Sequence, residues 1–333
     1  MAEARFALTR QFRTHILFCK ENRINLLGEE GSVAADKQRI GFIGVGLMGH
    51  GMAKNLLAKG YAVTVVGHRN RAPVESLLAK GASEAKSPAE AAKTADIVLM
   101  CVTGSPQVEE TVYKAGGLLE AARGGLIVVD CSTSEPDSTA RIAADFAKRG
   151  ATYVDAPLTR TPKEAEEGRL NVLVGADAAT FEKLRPVLSA FAENVFHVGG
   201  SGAGHKTKLF NNFLALGFAS LLAEALVGAA KAGVNLDALY KLVSAGPISN
   251  GLFQMIVPNA LKGDFAQMKF AIVNAAKDLR YYTHMIESAG STAFLAECIH
   301  QNLVQAVALG FGEKFVPSLI EAQAKVNGVK IGG

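Results

Sequence analysis

Two clusters in this sequence have the residue types and spacing for chemistry. The first is Gly44-Val45-Gly46-Leu47-Met48-Gly49, which follows the apolar run Ile40-Gly41-Phe42-Ile43 and opens a helical pattern from Met48 to Lys59. In a G-x-G-x-x-G turn between strand and helix, Gly44 permits the tight turn and Gly46 lets the backbone approach a pyrophosphate. Gly49 lets the helix lie close to the sheet, and the helix start offers free N–H groups to phosphate oxygens. In this context the motif points to a dinucleotide, with a purely structural glycine turn as the alternative. The second cluster runs from Gly202 to Asn212 and holds Lys208 and Asn212, four positions apart and so on one helix face. A lysine in a closed cleft has its pKa lowered by desolvation and neighbouring charge, and can trade a proton with a hydroxyl or carbonyl oxygen. The asparagine would hold the substrate or orient the amine. The alternative is a solvated lysine near a helix start.

The end of the second strand bears on which dinucleotide. An NAD site wants an acid about 20 residues after the glycines, bonded to the ribose hydroxyls. Here the positions read Thr64, Val65, Val66, Gly67, His68, Arg69 and Asn70, with no acid. Gly67 leaves room, and His68, Arg69 and Arg71 are placed to surround a 2′-phosphate, for which arginine has the right fork. NADP(H) is therefore the preferred cofactor and NAD(H) the alternative, the basic residues then merely facing solvent.

The elements that must position these residues alternate at first. Strands are expected at 40–43, Ala62–Val66, Ile97–Cys101, Leu126–Asp130, Thr152–Asp155, Leu170–Val174 and Val195–Val198, with helices at Val74–Lys80, Pro88–Thr94, Pro106–Tyr113, Asp137–Arg149 and Ala178–Phe191. Mostly apolar strands alternating with helices imply a parallel sheet covered on both faces. Beyond about residue 200 the pattern is helical only: Lys206–Ala232, Leu236–Ser244, Phe270–Ala289, Ala293–Leu309 and Val316–Lys325. The expected fold class is α/β, a Rossmann-type parallel sheet domain followed by an all-helical domain. The expected divisions are an N-terminal extension (1–38), a dinucleotide-binding domain (39–200) and a helical substrate and oligomerisation domain (201–333), with a cleft between the last two.

A length of 333 residues fits roughly two domains of about 150 residues. A net charge of +4 is too small and too evenly spread for a nucleic-acid groove. Cys19, Cys101, Cys131 and Cys298 lie far apart, and Cys101 and Cys131 each close an apolar run, so reduced thiols are expected and neither a disulfide scaffold nor a zinc site. Arg5, Arg10 and Arg13 interrupt the first apolar stretch, which argues against a secretory leader. The stretch has features of a basic amphipathic transit segment, but its acids weaken that reading, and a non-conserved or mis-assigned extension before the first strand is the better one; the expected location is cytoplasmic. Phe213–Ala230 is apolar enough to consider as a membrane span; with no second such run, a core or dimer-interface helix is the better reading.

Five motifs together resemble the β-hydroxyacid dehydrogenase family over about residues 39–325. They are the glycine turn, Asp130-Cys131-Ser132-Thr133, Val154-Asp155-Ala156-Pro157, the Lys208/Asn212 pair and Lys277-Asp278-Leu279, in the family's order and at its intervals. The family includes 3-hydroxyisobutyrate dehydrogenase and 2-hydroxy-3-oxopropionate (tartronate semialdehyde) reductase, and is related to 6-phosphogluconate dehydrogenase. The resemblance implies hydride transfer between a nicotinamide and a small β-hydroxy acid or its semialdehyde, with no metal. It implies that Lys208 is the proton-exchanging lysine and Asn212 its substrate-positioning partner. Ser132, Thr133 and Lys277 would lie at the substrate, and Val102, Thr133 and Lys277 beside the cofactor. It also implies a homo-oligomer, a dimer or tetramer.

The chain departs from the family in places. Many members have Ser-Gly-Gly after the Asp-x-Pro segment, where the substrate carboxylate is held. Here the residues are Leu158-Thr159-Arg160-Thr161-Pro162. Thr159, Arg160 and Thr161 become candidate substrate residues, with Arg160 offering a charged fork as in sulfolactaldehyde reductases, or else serving a salt bridge. The Gly-x-x-x-Asp segment common near the last helices is replaced by Gly312-Glu313-Lys314-Phe315-Val316. The leading expectation is an NADP-dependent enzyme of small β-hydroxy acids and semialdehydes. Alternatives are a reductase of a sulfonated or other anionic aldehyde, and a non-catalytic NADP-binding sensor or scaffold; retention of Lys208 and Asn212 argues against the last.

Overall fold

The computed structural model describes residues 37–332, so the expected extension over 1–38 lies outside the described residues except for its last two positions. The first part alternates: β1 (Ile40–Ile43), α1 (Gly49–Ala58), β2 (Val63–Val66), α2 (Ala72–Leu78), β3 (Ser83–Ala85), α3 (Pro88–Thr94), β4 (Ile97–Met100), α4 (Ser105–Tyr113), β5 (Ile127–Asp130), α5 (Pro136–Ala147), β6 (Thr152–Asp155), β7 (Leu158–Thr159), α6 (Pro162–Glu166), β8 (Leu170–Gly175), α7 (Ala178–Leu188) and β9 (Ala192–Gly199). The sheet order is β3-β2-β1-β4-β5-β6-β8-β7, with β9 on β8. From β3 to β6 all pairs are parallel, in the doubly wound Rossmann-type order.

Every residue of β1, β4 and β5 is buried, as a strand covered on both faces requires. Alternation then sorts the side chains. Phe42, Val65, Leu99 and Val129 face the core beneath α1, while Ile43, Val98, Met100 and Val128 face the opposite core with Val108 and Phe146. The parallel pairing expected of the sheet gives way beyond β6. There β8 runs antiparallel to both β6 and β7. The connection contains only the five-residue α6, which is too short to cover a parallel crossover, so the chain reverses through β7 instead.

The second part is helical: α8 (Ala203–Lys231), α9 (Leu236–Ser244), α10 (Gly251–Ala260), α11 (Ile272–Ser288), α12 (Phe294–Ala306) and α13 (Leu319–Asn327). The expected helix through Leu309 stops earlier, in a π-turn over Val307–Phe311 where Gly310 takes φ +90°. α8 has 29 residues and is long and apolar enough to cross a membrane by length and composition. In this fold its Leu209, Leu216, Ala223 and Leu226 pack in a core shared with α11, α12 and α13. Its first turns also lie against β8.

Candidate active site

The turn between β1 and α1 has the shape its glycines predict. Gly44 has φ +88°, and a Cβ there would collide with the Cys101 carbonyl. A Cβ on Gly49 would strike the Gly44 carbonyl and the Phe42 ring, so this glycine sets α1 directly on the sheet. Gly46 borders open space. Val45 is buried, Met48 packs at the core edge and Leu47 is exposed. No side chain caps the start of α1 and its first turn carries no acid, which leaves the N–H groups and the positive helix end for an anion. These residues fit a dinucleotide pyrophosphate. His50, for which the sequence suggested no role, bridges Glu166 (2.6 Å) and Ser76 (3.1 Å), and Lys54 meets the same Glu166 at 2.5 Å, tying α1 to α2 and α6.

At the end of β2, His68 and Arg69 are exposed. Arg71 departs from the expectation of an open basic rim. Its Nη1 and Nη2 donate to Glu84 Oε1 and Oε2 at 2.6 and 3.0 Å.

Beyond β4 and β5, an acid organises the loops. Asp130, fully buried, accepts from the Ser132 N–H (2.8 Å), the Tyr153 hydroxyl (2.8 Å) and the Ser134 hydroxyl (3.2 Å). Ser132 Oγ in turn accepts from the Val102 N–H at 3.0 Å, which locks the two loops that would face a nicotinamide. Cys101 and Cys131 lie here as free thiols. Burial pushes the Cys101 thiol up to about 12 and Cys131 well above its usual value, with the Asp130 charge adding to both, so neither is a thiolate nucleophile near neutral pH.

The start of α8 is fastened by a second buried acid. Asp155 Oδ1 accepts from the Gly202 N–H at 2.7 Å and Oδ2 from the His205 N–H at 2.8 Å. A Cβ on Gly204 would run into the Leu173 and Asp155 carbonyls, so glycine lets the helix start rest on the sheet. His205, fully buried, shares a 2.7 Å hydrogen bond with Thr139 Oγ1. The next turn of this anchored helix carries Lys208.

Lys208 is half-buried. Desolvation by the surrounding protein lowers its ammonium pKa to about 8; the Asp278 carboxylate opposes that shift, and Lys277 adds to it. One turn further, Asn212 is buried and donates its side-chain amide to Asp278 Oδ2 at 2.6 Å. Asp278 Oδ1 faces Lys277 Nζ at 2.9 Å. Lys277 Nζ also donates to the Thr103 carbonyl at 2.6 Å and reaches the Thr133 carbonyl at 3.5 Å, so α11 is tied to the loops after β4 and β5. The Tyr281 hydroxyl accepts from the Ser105 N–H at 3.2 Å beside it. The structure thus links Lys208, Asn212, Lys277 and Thr133, with the Ser132–Val102 bond in the adjoining loops. It adds Asp278, to which the Lys277-Asp278-Leu279 motif alone assigns no role. A signal existed: Asp278 is an acid on the buried face of α11, flanked by Ala275, Leu279 and Tyr282.

Thr159, Arg160 and Thr161 are engaged locally. Thr159 Oγ1 accepts from the Asn171 amide at 3.1 Å. Thr161 caps α6 in a reciprocal box with Glu164. Arg160 holds φ +80°, a left-handed conformation that favours glycine, and its guanidinium pairs with Glu193 and the Arg169 carbonyl. The open anion fork expected of Arg160 is thus closed on a protein carboxylate.

The chain is similar to known proteins both in sequence and in fold. Residues 39–199 match the family described as the NAD binding domain of 6-phosphogluconate dehydrogenase. Residues 202–321 match the family described as NAD-binding of NADP-dependent 3-hydroxyisobutyrate dehydrogenase. The chain is 33% identical to 2-(hydroxymethyl)glutarate dehydrogenase of Eubacterium barkeri, over 89% of this chain and 98% of that protein. It is 34% identical to 3-sulfolactaldehyde reductase of Escherichia coli K12, over 72% of this chain and 80% of that protein. Among solved structures, the Mycobacterium tuberculosis 3-hydroxyisobutyrate dehydrogenase with L-serine superposes with a TM-score of 0.76 at 25% identity, covering 85% of this chain and 98% of that one.

Proposed function

Because this chain belongs to the β-hydroxyacid dehydrogenase family, whose members are NAD(P)-dependent dehydrogenases and reductases acting on hydroxyl and aldehyde groups, we propose that it interconverts a small β-hydroxy acid and its semialdehyde with NADP(H) as the preferred cofactor. The observation that carries this reading is the linked set of Lys208, Asn212, Asp278 and Lys277 at the junction of sheet and helices. When bound, the nicotinamide supplies hydride to the carbonyl carbon in reduction and accepts it in oxidation.

The chain's own residues manage the proton and the geometry. In reduction the Lys208 ammonium donates a proton to the developing alkoxide oxygen and is left as the neutral amine. In oxidation that amine takes the hydroxyl proton. An ammonium with a pKa of about 8 serves both directions near neutral pH, because neither form is far from populated. Asn212, its amide nitrogen held by Asp278, presents a fixed polar group one turn from Lys208. Lys277 and Lys208 together make the pocket favourable to an anionic substrate, while Asp278 balances part of that charge.

Two finer points belong to the same reading. The exposed and unpartnered His68 and Arg69 support NADP over NAD. The closure of Arg160 on Glu193 supports a carboxylated aldehyde over a sulfonated one, since the charge that would read a sulfonate is already taken up. Phe210, Leu214 and Leu221, exposed along one stripe of α8, support a homo-oligomer assembled through this helix.

The test is NADPH oxidation against NADH over a panel of tartronate semialdehyde, methylmalonate semialdehyde, succinic semialdehyde, glyoxylate and sulfolactaldehyde. The expected result is turnover of a carboxylated aldehyde with NADPH favoured. Silence across the panel, with NADPH bound, would overturn the proposal, and preference for the sulfonate would reassign Arg160.

A further inference from the structure

The Arg71–Glu84 pair takes no part in the chemistry described so far. Glu84 lies on β3, in register with Val65 of β2. Arg71 immediately precedes α2. The guanidinium and carboxylate meet fork to fork, at 2.6 and 3.0 Å, and they meet over Gly67: a Cβ at that position would run into both Arg71 Nη1 and Glu84 Oε1. The ion pair therefore fills the space that a side chain at the end of β2 would otherwise take. In a sheet of this order that is where the adenosine ribose of a dinucleotide lies, and where an acid normally receives the ribose hydroxyls. No acid is present at positions 64–70. Glu84 brings one to the place from the neighbouring strand.

We propose that Glu84 sets the choice between NADP and NAD by competing with a 2′-phosphate for the Arg71 guanidinium. This rests on the dinucleotide reading of the glycine turn. A phosphate and a carboxylate are both bidentate acceptors and use the same fork of an arginine, so Arg71 cannot give its paired N–H groups to both. With the pair closed, the site shows a ribose the Glu84 carboxylate, which accepts a 2′-hydroxyl and repels a 2′-phosphate. With the pair open, Arg71 joins His68 and Arg69 around the phosphate. Arg71 and Glu84 are partly exposed, with side-chain accessibilities of 46% and 31%. An ion pair so open to water adds little to fold stability, so it exchanges partners at small cost.

The experiment is the dissociation constants of NADPH and NADH, by nicotinamide fluorescence, for the wild type, Glu84→Gln and the Glu84→Gln/Arg71→Ala double variant. The expected result is a shift of the NADH/NADPH ratio by about tenfold or more toward NADPH in Glu84→Gln, on the scale of one charge-assisted bond. The double variant loses that gain. An unchanged ratio overturns the inference. Weaker NADPH binding in Glu84→Gln also overturns it, because Glu84 would then be presenting Arg71 to the phosphate. If the wild type binds neither nucleotide, the dinucleotide reading itself falls, a result distinct from a bound pair with an unmoved ratio.

Discussion

The side-chain amide of Asn212 donates to Asp278 Oδ2 at 2.6 Å, although the two residues are 66 positions apart and sit on different helices. The other Asp278 oxygen faces Lys277, and its charge supports the ammonium form of Lys208. One buried carboxylate thus governs the orientation of the amide, the placement of one lysine and the proton affinity of another.

The first prediction concerns pH. Because Lys208 must be an ammonium to donate, kcat/KM for reduction falls as pH rises through about 8, and kcat/KM for oxidation rises over the same interval. Asp278→Asn removes the one neighbouring charge that raises this pKa, so the limb moves to lower pH in both directions. A limb that stays in place or moves upward contradicts the assignment.

The start of α8 gives a stability prediction. Asp155→Ala leaves the buried N–H groups of Gly202 and His205 without their acceptors, at a cost of at least about 2 kcal/mol. In a chain of this size that lowers Tm by roughly 3 °C. An unchanged Tm in a thermal scan would show that the cap is dispensable.

Gly46 separates binding from folding. Nothing lies within 4 Å of a Cβ built there, so Gly46→Val keeps Tm within about 2 °C of the wild type, the scale of a surface substitution. Its side chain fills the approach reserved for the pyrophosphate, and NADPH binding weakens at least about tenfold. Titration of NADPH fluorescence decides between this and a turn of purely structural use.

Assembly is tested on the exposed stripe of α8. Leu214 and Leu221 are 69% and 61% exposed in the single chain. Replacing both with Glu places two charges on the face proposed to be shared, and light scattering should report a mass reduced to one chain. A wild type already at that mass, or an oligomer indifferent to both charges, removes this face from consideration.

Much of the fold was legible because it follows from local patterns. The apolar runs at Ile97 and Ile127 and the Ser87-Pro88 start, where Ser87 Oγ does accept from the Glu90 N–H, predict buried strands and a helix within a residue or two of the observed elements. The strand β3, Ser-Glu-Ala, has no apolar signature because it is an edge strand, and α10 is hidden by Gly251 at its start and Pro258 inside it. Among site residues, the glycines and Lys208/Asn212 were visible from spacing on one element. What the sequence could not show were partnerships across elements: Asp278 with Asn212, Glu84 with Arg71 and Glu193 with Arg160. Each turns a residue of known type into one of definite role, and each depends on where distant segments meet.

The account stands most directly on Lys208. Turnover of a carboxylated aldehyde and the NADPH dissociation constant should be measured together at pH 7 for the wild type and Lys208→Ala. The predicted result is a loss of at least about 10²-fold in kcat with NADPH binding within about twofold of the wild type, as removal of a proton donor outside the cofactor contacts requires. A variant that turns over within a few-fold of the wild type would contradict the assignment of Lys208 as the group that exchanges the proton.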